Sequence, residues 1–301
     1  MSAAEAKRPA ITPELLAQVR RLTIRSRRAV EEVFSGAYRS AFRGKGLEFA
    51  DVREYVVGDD VRAIDWNVTA RAGRPYVKRF EEERELTVVV AMDLSGSLAF
   101  GSRARTKREV AAEAGALIAL AAARNRDRVG LLLFTDRVEL YLPPGKSRAR
   151  TLRVVREMLA YEPKGRGTDL GGALSFLGRV LRRRAIVVLV SDWIASDFDR
   201  PLAYLARRHE VVTVEVSDPL ERELPPSGLV LVRDLETGRV GWADLDSRRG
   251  RAEWRAARVR RARGITEAFT RARAGRIALE VGEPVAPPLI RHFERRAHRG
   301  G

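Results

Sequence analysis

Asp93-x-Ser95-x-Ser97 puts one carboxylate and two hydroxyls within five residues, directly behind the apolar run "VVVAM". Three chemistries fit such a strand end: a loop that holds a hard cation, a serine nucleophile, or a polar turn that only finishes the strand. A cation such as Mg2+ takes oxygen ligands in near-octahedral geometry at about 2.0–2.1 Å and keeps several waters. One short loop fills part of that shell, so further oxygens have to come from other strand ends. Thr168 in "GRGTDLGG" and Asp192 in "VLVSDW" are the candidates. Asp93, Ser95, Ser97, Thr168 and Asp192 would give Mg2+ or Mn2+ five oxygen donors, some through water, with only two formal negative charges. An ion so held stays under-neutralised and attracts a carboxylate from outside.

The nucleophile has less behind it. No G-x-S-x-G elbow surrounds Ser95, because Asp93 stands where the first glycine would be. The three histidines, His209, His292 and His298, all fall in the last third, so a His-based triad or a His-rich zinc site near Asp93 is not expected. An aspartate-nucleophile phosphatase usually needs a second acid two residues on, and Ser95 occupies that place. Cysteine is absent, which excludes disulfides, thiolate zinc sites and cysteine nucleophiles. "LPPGKS" at 142–147 lacks the first glycine of a P-loop and follows no glycine-rich strand-to-helix turn, so nucleotide binding there is not expected.

These residues need a scaffold. "LTVVVAMD", "DRVGLLLFTD" (127–136) and "AIVVLVSD" (185–192) are continuous apolar runs, the pattern of strands covered on both faces. "EVVTVEV" (210–216) is a further strand and "RVELYLPPG" a short one ending in a Pro-Pro-Gly turn. Helices are expected from the Thr106-x-x-Glu109 capping box to about Arg124, and over 147–160, 169–183 and 199–208. Alternating strands and helices make an α/β fold with a mainly parallel sheet and helices on both faces, in which ligands bind beyond the carboxyl ends of the strands. Asp93 and Asp192 sit at such ends. Ahead of this unit (85–217) come a helical segment at 1–33, with a helix expected over 12–33, and a β-rich block at 34–84. Behind it, 218–301 reads as a hairpin turning at Glu-Thr-Gly, an Arg-rich helix (247–273), a strand "RIALEV" and a terminal helix.

Charge is the other strong signal. The chain of 301 residues carries +17, with six Lys against 51 Arg. The arginines are spread along the whole chain without an aromatic-studded motif, so a solvated, Arg-rich surface is preferred over a nucleic-acid footprint. The ten arginines of 247–273 fit a solvated face whose stems cover Trp254, Val259 and Ile265. No run reaches about 18 apolar residues, so no membrane span is expected. No secretory h-region opens the sequence, and a cytoplasmic setting follows as an expectation.

The series "DLSGS", "VGLLLFTD", "GTDL" and "LVSDW", in this order and on these elements, resembles the metal-ion-dependent adhesion site of von Willebrand factor A domains. "GKGLEFADVREYVVGDDVRAIDWNVTARAGRPYVKRFEEERE" directly before such a domain, together with the tail "PPLIRHFERRAHRG", resembles the domain-of-unknown-function family number fifty-eight over about 34–301. The resemblance implies a von Willebrand factor A-like, Rossmann-like sheet with N- and C-terminal additions. It also implies a partnership with a MoxR-type AAA+ ATPase in chaperone-like assembly or maturation of other proteins.

Within the family block, Arg62, Asp65, Trp66 and Arg71 follow the Gly58-Asp59-Asp60 turn closely. They read either as a docking surface, with Trp66 as anchor and the arginines as carboxylate forks, or as an internal lattice of buried Asp–Arg pairs with Trp66 in the core. The lattice is preferred. Taken together, the chain is expected to be a non-enzymatic, metal-dependent adaptor that captures a carboxylate of a client protein. A Mg2+-dependent hydrolase using Asp93 and a nucleic-acid-binding protein are the alternatives.

Overall fold

The computed structural model describes residues 38, 41, 48–81 and 85–300. The helix expected over 12–33 lies outside the described residues. The first part is a small ribbon, β1 (Glu48–Glu54) paired antiparallel with β2 (Tyr76–Glu81), with helix α1 (Trp66–Ala72) between them. Asp65 starts α1 by accepting from the N–H groups of Asn67 and Val68 at 3.0 and 3.2 Å, and Asp60 likewise holds the N–H of Arg62 at 2.9 Å. This corrects the lattice expectation. Trp66 is 70% exposed, not in a core, and α1 buries none of its residues. A two-stranded ribbon with a two-turn helix has too little interior to enclose an indole. Among the described residues an Asp–Arg pair does form, Arg53 to Asp59 with two bonds of 2.7 Å, and it lies near the surface.

From Thr87 the chain alternates as expected. β3 (Thr87–Asp93), α2 (Lys107–Arg124), β4 (Arg128–Phe134), β5 (Val138–Gly145), α3 (Arg148–Ala160), α4 (Leu170–Val180), β6 (Ile186–Ser191), α5 (Asp199–Arg208) and β7 (Glu210–Ser217) follow in order. After the four-residue α6 (Pro219–Arg222) come β8 (Leu229–Arg233), β9 (Val240–Asp244), α7 (Arg248–Ala272), β10 (Gly275–Glu280) and α8 (Ala286–Gly300). The central sheet has six strands in the order β10-β7-β6-β3-β4-β5. All neighbours are parallel except β5, which returns antiparallel along β4. Pro143 and Pro144 stay inside β5, whose edge position tolerates missing N–H donors. The segment expected as a C-terminal extension supplies the opposite edge: β10 pairs with β7 from Gly275–Val212 to Glu280–Ser217.

Strand alternation decides the layers. Val88, Val90 and Met92 face α2, α3 and α8, while Val89 and Ala91 face α4, α5 and α7. Both sides are apolar, which is why the strands read as unbroken hydrophobic runs. α2 is alanine-rich because it lies flat on the sheet under α3, with Val110 to Ala122 largely buried. The fully buried residues of α7 fall in its last turns, Ile265, Ala268, Phe269 and Ala272. Val259, expected to lie under arginine stems, is exposed instead. Arg258 does stand over the Trp254 ring at 6.0 Å.

One stability prediction arises from this packing. His292 of α8 is set tightly against Gly275 at the amino end of β10. Burial, and then the Arg296 and Arg295 charges, push its pKa down to about 4. In the unfolded chain an imidazole titrates near ~6.5. Between those values the unfolded state binds a proton that the folded state refuses, so stability falls as pH drops through the window. His292→Gln is expected to flatten the loss of urea midpoint between neutral and acidic pH. An unchanged loss would assign the acid sensitivity to other groups.

Candidate functional site

β3 is central, and its two neighbours leave in opposite directions, β4 on one side and β6 on the other. The carboxyl ends of β3 and β6 therefore flank the point where the strand order reverses, the place where open α/β sheets form a crevice. Asp93 ends β3. One of its oxygens accepts from the Ser95 N–H at 2.7 Å, the other from the Ser191 hydroxyl at 2.7 Å. This fixes the carboxylate and folds the chain back so that the Ser95 and Ser97 hydroxyl oxygens stand 3.1 Å apart. Ser97 lies in a short 3-10 turn, Gly96–Ala99, which begins directly after Ser95.

Thr168 comes from the loop before α4. That loop is docked onto the β3 turn by the Gly96 N–H, which donates to the Arg166 carbonyl at 2.7 Å. It is also tied to the end of β4, where the Asp169 N–H donates to the Thr135 carbonyl at 2.9 Å. Asp192 follows Ser191 out of β6 and is buried. One of its oxygens accepts from the Ile194 N–H at 3.1 Å and the other from the Lys107 ammonium at 2.7 Å. Thus the loops carrying Asp93, Ser95, Ser97, Thr168 and Asp192 converge. Arg62, Asp65, Trp66 and Arg71 belong to the 48–81 block.

Burial, and then the neighbouring Asp192 charge, raise the pKa of Asp93 to about 7, against the pull of the Ser95 and Ser191 hydrogen bonds. Lys107 answers part of the negative charge. Burial disfavours its ammonium, but Asp192 and Glu221 outweigh that and raise its pKa. The set is rich in hard oxygen and contains neither nitrogen nor sulfur donors, which suits Mg2+ or Mn2+ over softer ions. Among the described residues, no group of three or more His, Cys, Asp or Glu side chains could hold a metal. The donors at this site are hydroxyls and two carboxylates, a composition outside that grouping.

Four contributors had no clear mark in the sequence. Ser191 orients Asp93, Lys107 and Glu221 flank Asp192, and Glu236 of the β8–β9 turn accepts from the Thr168 hydroxyl at 2.8 Å. Ser191 had a faint signal, a second polar residue at the end of an apolar strand. Lys107 had one too, as the lysine that opens a helix otherwise apolar enough to be buried.

The six-stranded mainly parallel sheet, its reversal point and its two helical layers define a von Willebrand factor A-like α/β protein. The chain belongs to the family described as "Protein of unknown function DUF58", whose model matches residues 51–263. Uncharacterized protein Mb1516 of Mycobacterium bovis and Uncharacterized protein Rv1480 of Mycobacterium tuberculosis are each 34% identical over 237 residues, covering 78% of this chain and 75% of the relative. Among solved structures, the conserved hypothetical protein BatB from Bacteroides thetaiotaomicron is 16% identical with a TM-score of 0.44. An aerotolerance-related membrane protein from Bacteroides fragilis is 15% identical with a TM-score of 0.47. Both matches cover 71% of this chain and 99% of the other. In this chain, no helix among the described residues is long and apolar enough to cross a membrane.

Proposed function

We propose that this protein is a divalent-metal-dependent interaction module, in which Asp93, Ser95, Ser97, Thr168 and Asp192 hold Mg2+ or Mn2+. The observation that carries the reading is the convergence of oxygen-only donors at the β3 and β6 ends, with the Ser95 and Ser97 hydroxyls 3.1 Å apart. The ion, when bound, would offer a Lewis-acidic position to a carboxylate of a client protein. Asp93 and Asp192 supply charge, while Ser95, Ser97 and Thr168 supply neutral oxygen, so the pair of carboxylates leaves the ion electrophilic. Ser191, Lys107 and the Ile194 N–H hold those carboxylates in place.

A non-enzymatic role is part of the proposal. Both oxygens of Asp93 are engaged by donors, which suits a fixed ligand better than a base or nucleophile that must move or accept a proton. His209 directly precedes β7 and His292 packs on Gly275 at the amino end of β10, so both lie at the end of the parallel strands opposite the site. The family resemblance extends the proposal to a cytoplasmic adaptor working with a MoxR-type AAA+ ATPase, which would supply the energy for assembling or maturing a client.

Calorimetry with Mn2+ on the full chain and on Asp93→Ala tests the core of this. The wild type is expected to bind and the variant to lose at least about 100-fold in affinity, at or beyond the 10–100-fold usual for groups that only support a ligand. Equal heats in both, or none in either, would sink the metal site.

A further inference from the structure

Among the described residues the hairpin β8–β9 pairs with itself and not with the strands of the central sheet. Leu229, Leu231, Val240 and Trp242 share one face of it, by strand alternation and the pairing of Leu231 with Trp242, and all four are exposed. These four side chains therefore do not hold the hairpin down, and on its other face Val230 and its partner Ala243 are only partly covered. Of residues 231–242 only Glu236 is partly covered; the rest are exposed. What covers Glu236 is the candidate metal site: its Oε1 accepts from the Thr168 hydroxyl at 2.8 Å. Directly beside it, the Leu235 carbonyl lies so close to Gly96 that a Cβ there would overlap it. The backbone of the hairpin tip thus rests on Gly96, between Ser95 and Ser97, an approach that glycine permits.

We infer that Glu236 is itself a ligand of the metal site, delivered by the hairpin tip, so that the protein carries in cis the carboxylate that a client would otherwise supply. The inference rests on the metal-site reading above. Three observations support it.

The first is spacing. Adjacent ligands of an octahedral ion with bonds of about 2.0–2.1 Å stand roughly 2.9 Å apart. The Ser95–Ser97 and Thr168–Glu236 oxygen pairs are hydrogen-bonded at 3.1 and 2.8 Å, separations that such an edge would keep without rearrangement.

The second is charge. Ser95, Ser97 and Thr168 offer only neutral oxygen, and Asp192 is already paired with the Lys107 ammonium, so Glu236 would bring an anionic donor to the hydroxyl side of the site.

The third is the construction of the tip. The Asp234 carboxylate accepts from the Glu236 N–H at 2.9 Å, the Thr237 N–H at 3.3 Å and the Thr237 hydroxyl at 2.7 Å. Gly238 closes the turn at φ +72°. This Asx turn fixes the backbone from which Glu236 projects.

A ligand held this way blocks the site and yet can leave it. Few apolar contacts oppose the lifting of the hairpin, so a client carboxylate competes with Glu236 for one position. The exposed Leu229, Leu231, Val240 and Trp242 travel with the tip and report its state.

The test uses the full chain with Mn2+ as the probe. Mn2+ affinity is measured by calorimetry for wild type, Glu236→Gln and Asp93→Ala, and hydrogen exchange of residues 229–244 is followed with and without Mn2+. Glu236→Gln keeps the size of the side chain at a surface turn, so the fold is retained, which its melting curve checks. The expected result is about tenfold weaker Mn2+ binding in Glu236→Gln, together with Mn2+-dependent slowing of exchange at the tip in wild type and not in the variant. If Glu236→Gln binds Mn2+ as wild type does, or if Mn2+ leaves exchange at the wild-type tip unchanged, the in-cis ligand is overturned while the metal site stands. If wild type itself binds no Mn2+, the metal site falls and this inference falls with it.

Discussion

Lys107→Met is expected to lower the unfolding free energy by about 3–5 kcal/mol, the usual cost of removing one partner from a buried ion pair. The ammonium donates to Asp192 at 2.7 Å and also to Glu221, and the whole lysine side chain is enclosed at the start of α2. Methionine fills nearly the same volume, so the loss reports charge and not packing. It leaves Asp192 buried without a countercharge, beside an Asp93 already disfavoured as an anion. Adding Glu221→Gln to the variant should recover little, because Glu221 retains access to solvent, whereas Asp192→Asn should recover more. The same substitution has an opposite effect on the site. With one positive charge gone, Mn2+ should bind more tightly and should return more stability to Lys107→Met than to wild type, by ligand linkage. Urea unfolding with and without Mn2+ reads both effects. A loss below about 1 kcal/mol would show that solvent screens the pair as it does a surface one.

Trp193→Ala should cost a similar amount, about 3–5 kcal/mol for a buried aromatic truncated to alanine, but should weaken Mn2+ binding instead of strengthening it. Trp193 is fully buried next to Asp192. Its ring packs edge-on against Phe198 and Phe269, with centroids 5.3 and 4.5 Å away, and its indole N–H donates to the Val214 carbonyl at 3.3 Å. It thereby ties the loop after β6 to α5, α7 and β7 at once. Its φ of 59° is a left-handed conformation that costs a bulky side chain about 1–3 kcal/mol, and the surrounding packing has to impose it. Without the indole, that imposed turn relaxes, and the Trp193 N–H that holds the Ser191 hydroxyl at 3.0 Å is set loose. Ser191 is what orients Asp93. Trp193→Phe should keep part of the packing and therefore part of the affinity. An alanine variant that melts early yet binds Mn2+ normally would show that this turn stabilises the fold without shaping the site.

The contrast between these two residues shows what local sequence carries. The strands were legible because burial on both faces leaves an unbroken apolar run, as in "VVVAM" and "IVVLV". The start of α2 was legible because its capping box is a contact between residues three apart, Thr106 and Glu109. Asp93, Ser95 and Ser97 stood out because polar residues at the end of a buried strand require a reason. Trp66 misled for a physical cause: an indole is usually covered, and only the small size of the 48–81 block shows that nothing there can cover it.

The sequence by itself therefore determined the alternation of strands and helices, the polar strand ends and the all-oxygen character of the candidate site. Periodicity, caps and residue chemistry act over a few residues and are written locally. The tertiary structure alone decided that β10 joins the sheet beside β7, some 60 residues earlier in the chain, that Lys107 meets Asp192 across 85 residues, and that Glu236 reaches Thr168 across 68. Such meetings depend on the order in which strands enter the sheet and on where the hairpin comes to rest. No period or spacing records either, because contacts across that much chain are set by the packing of whole layers.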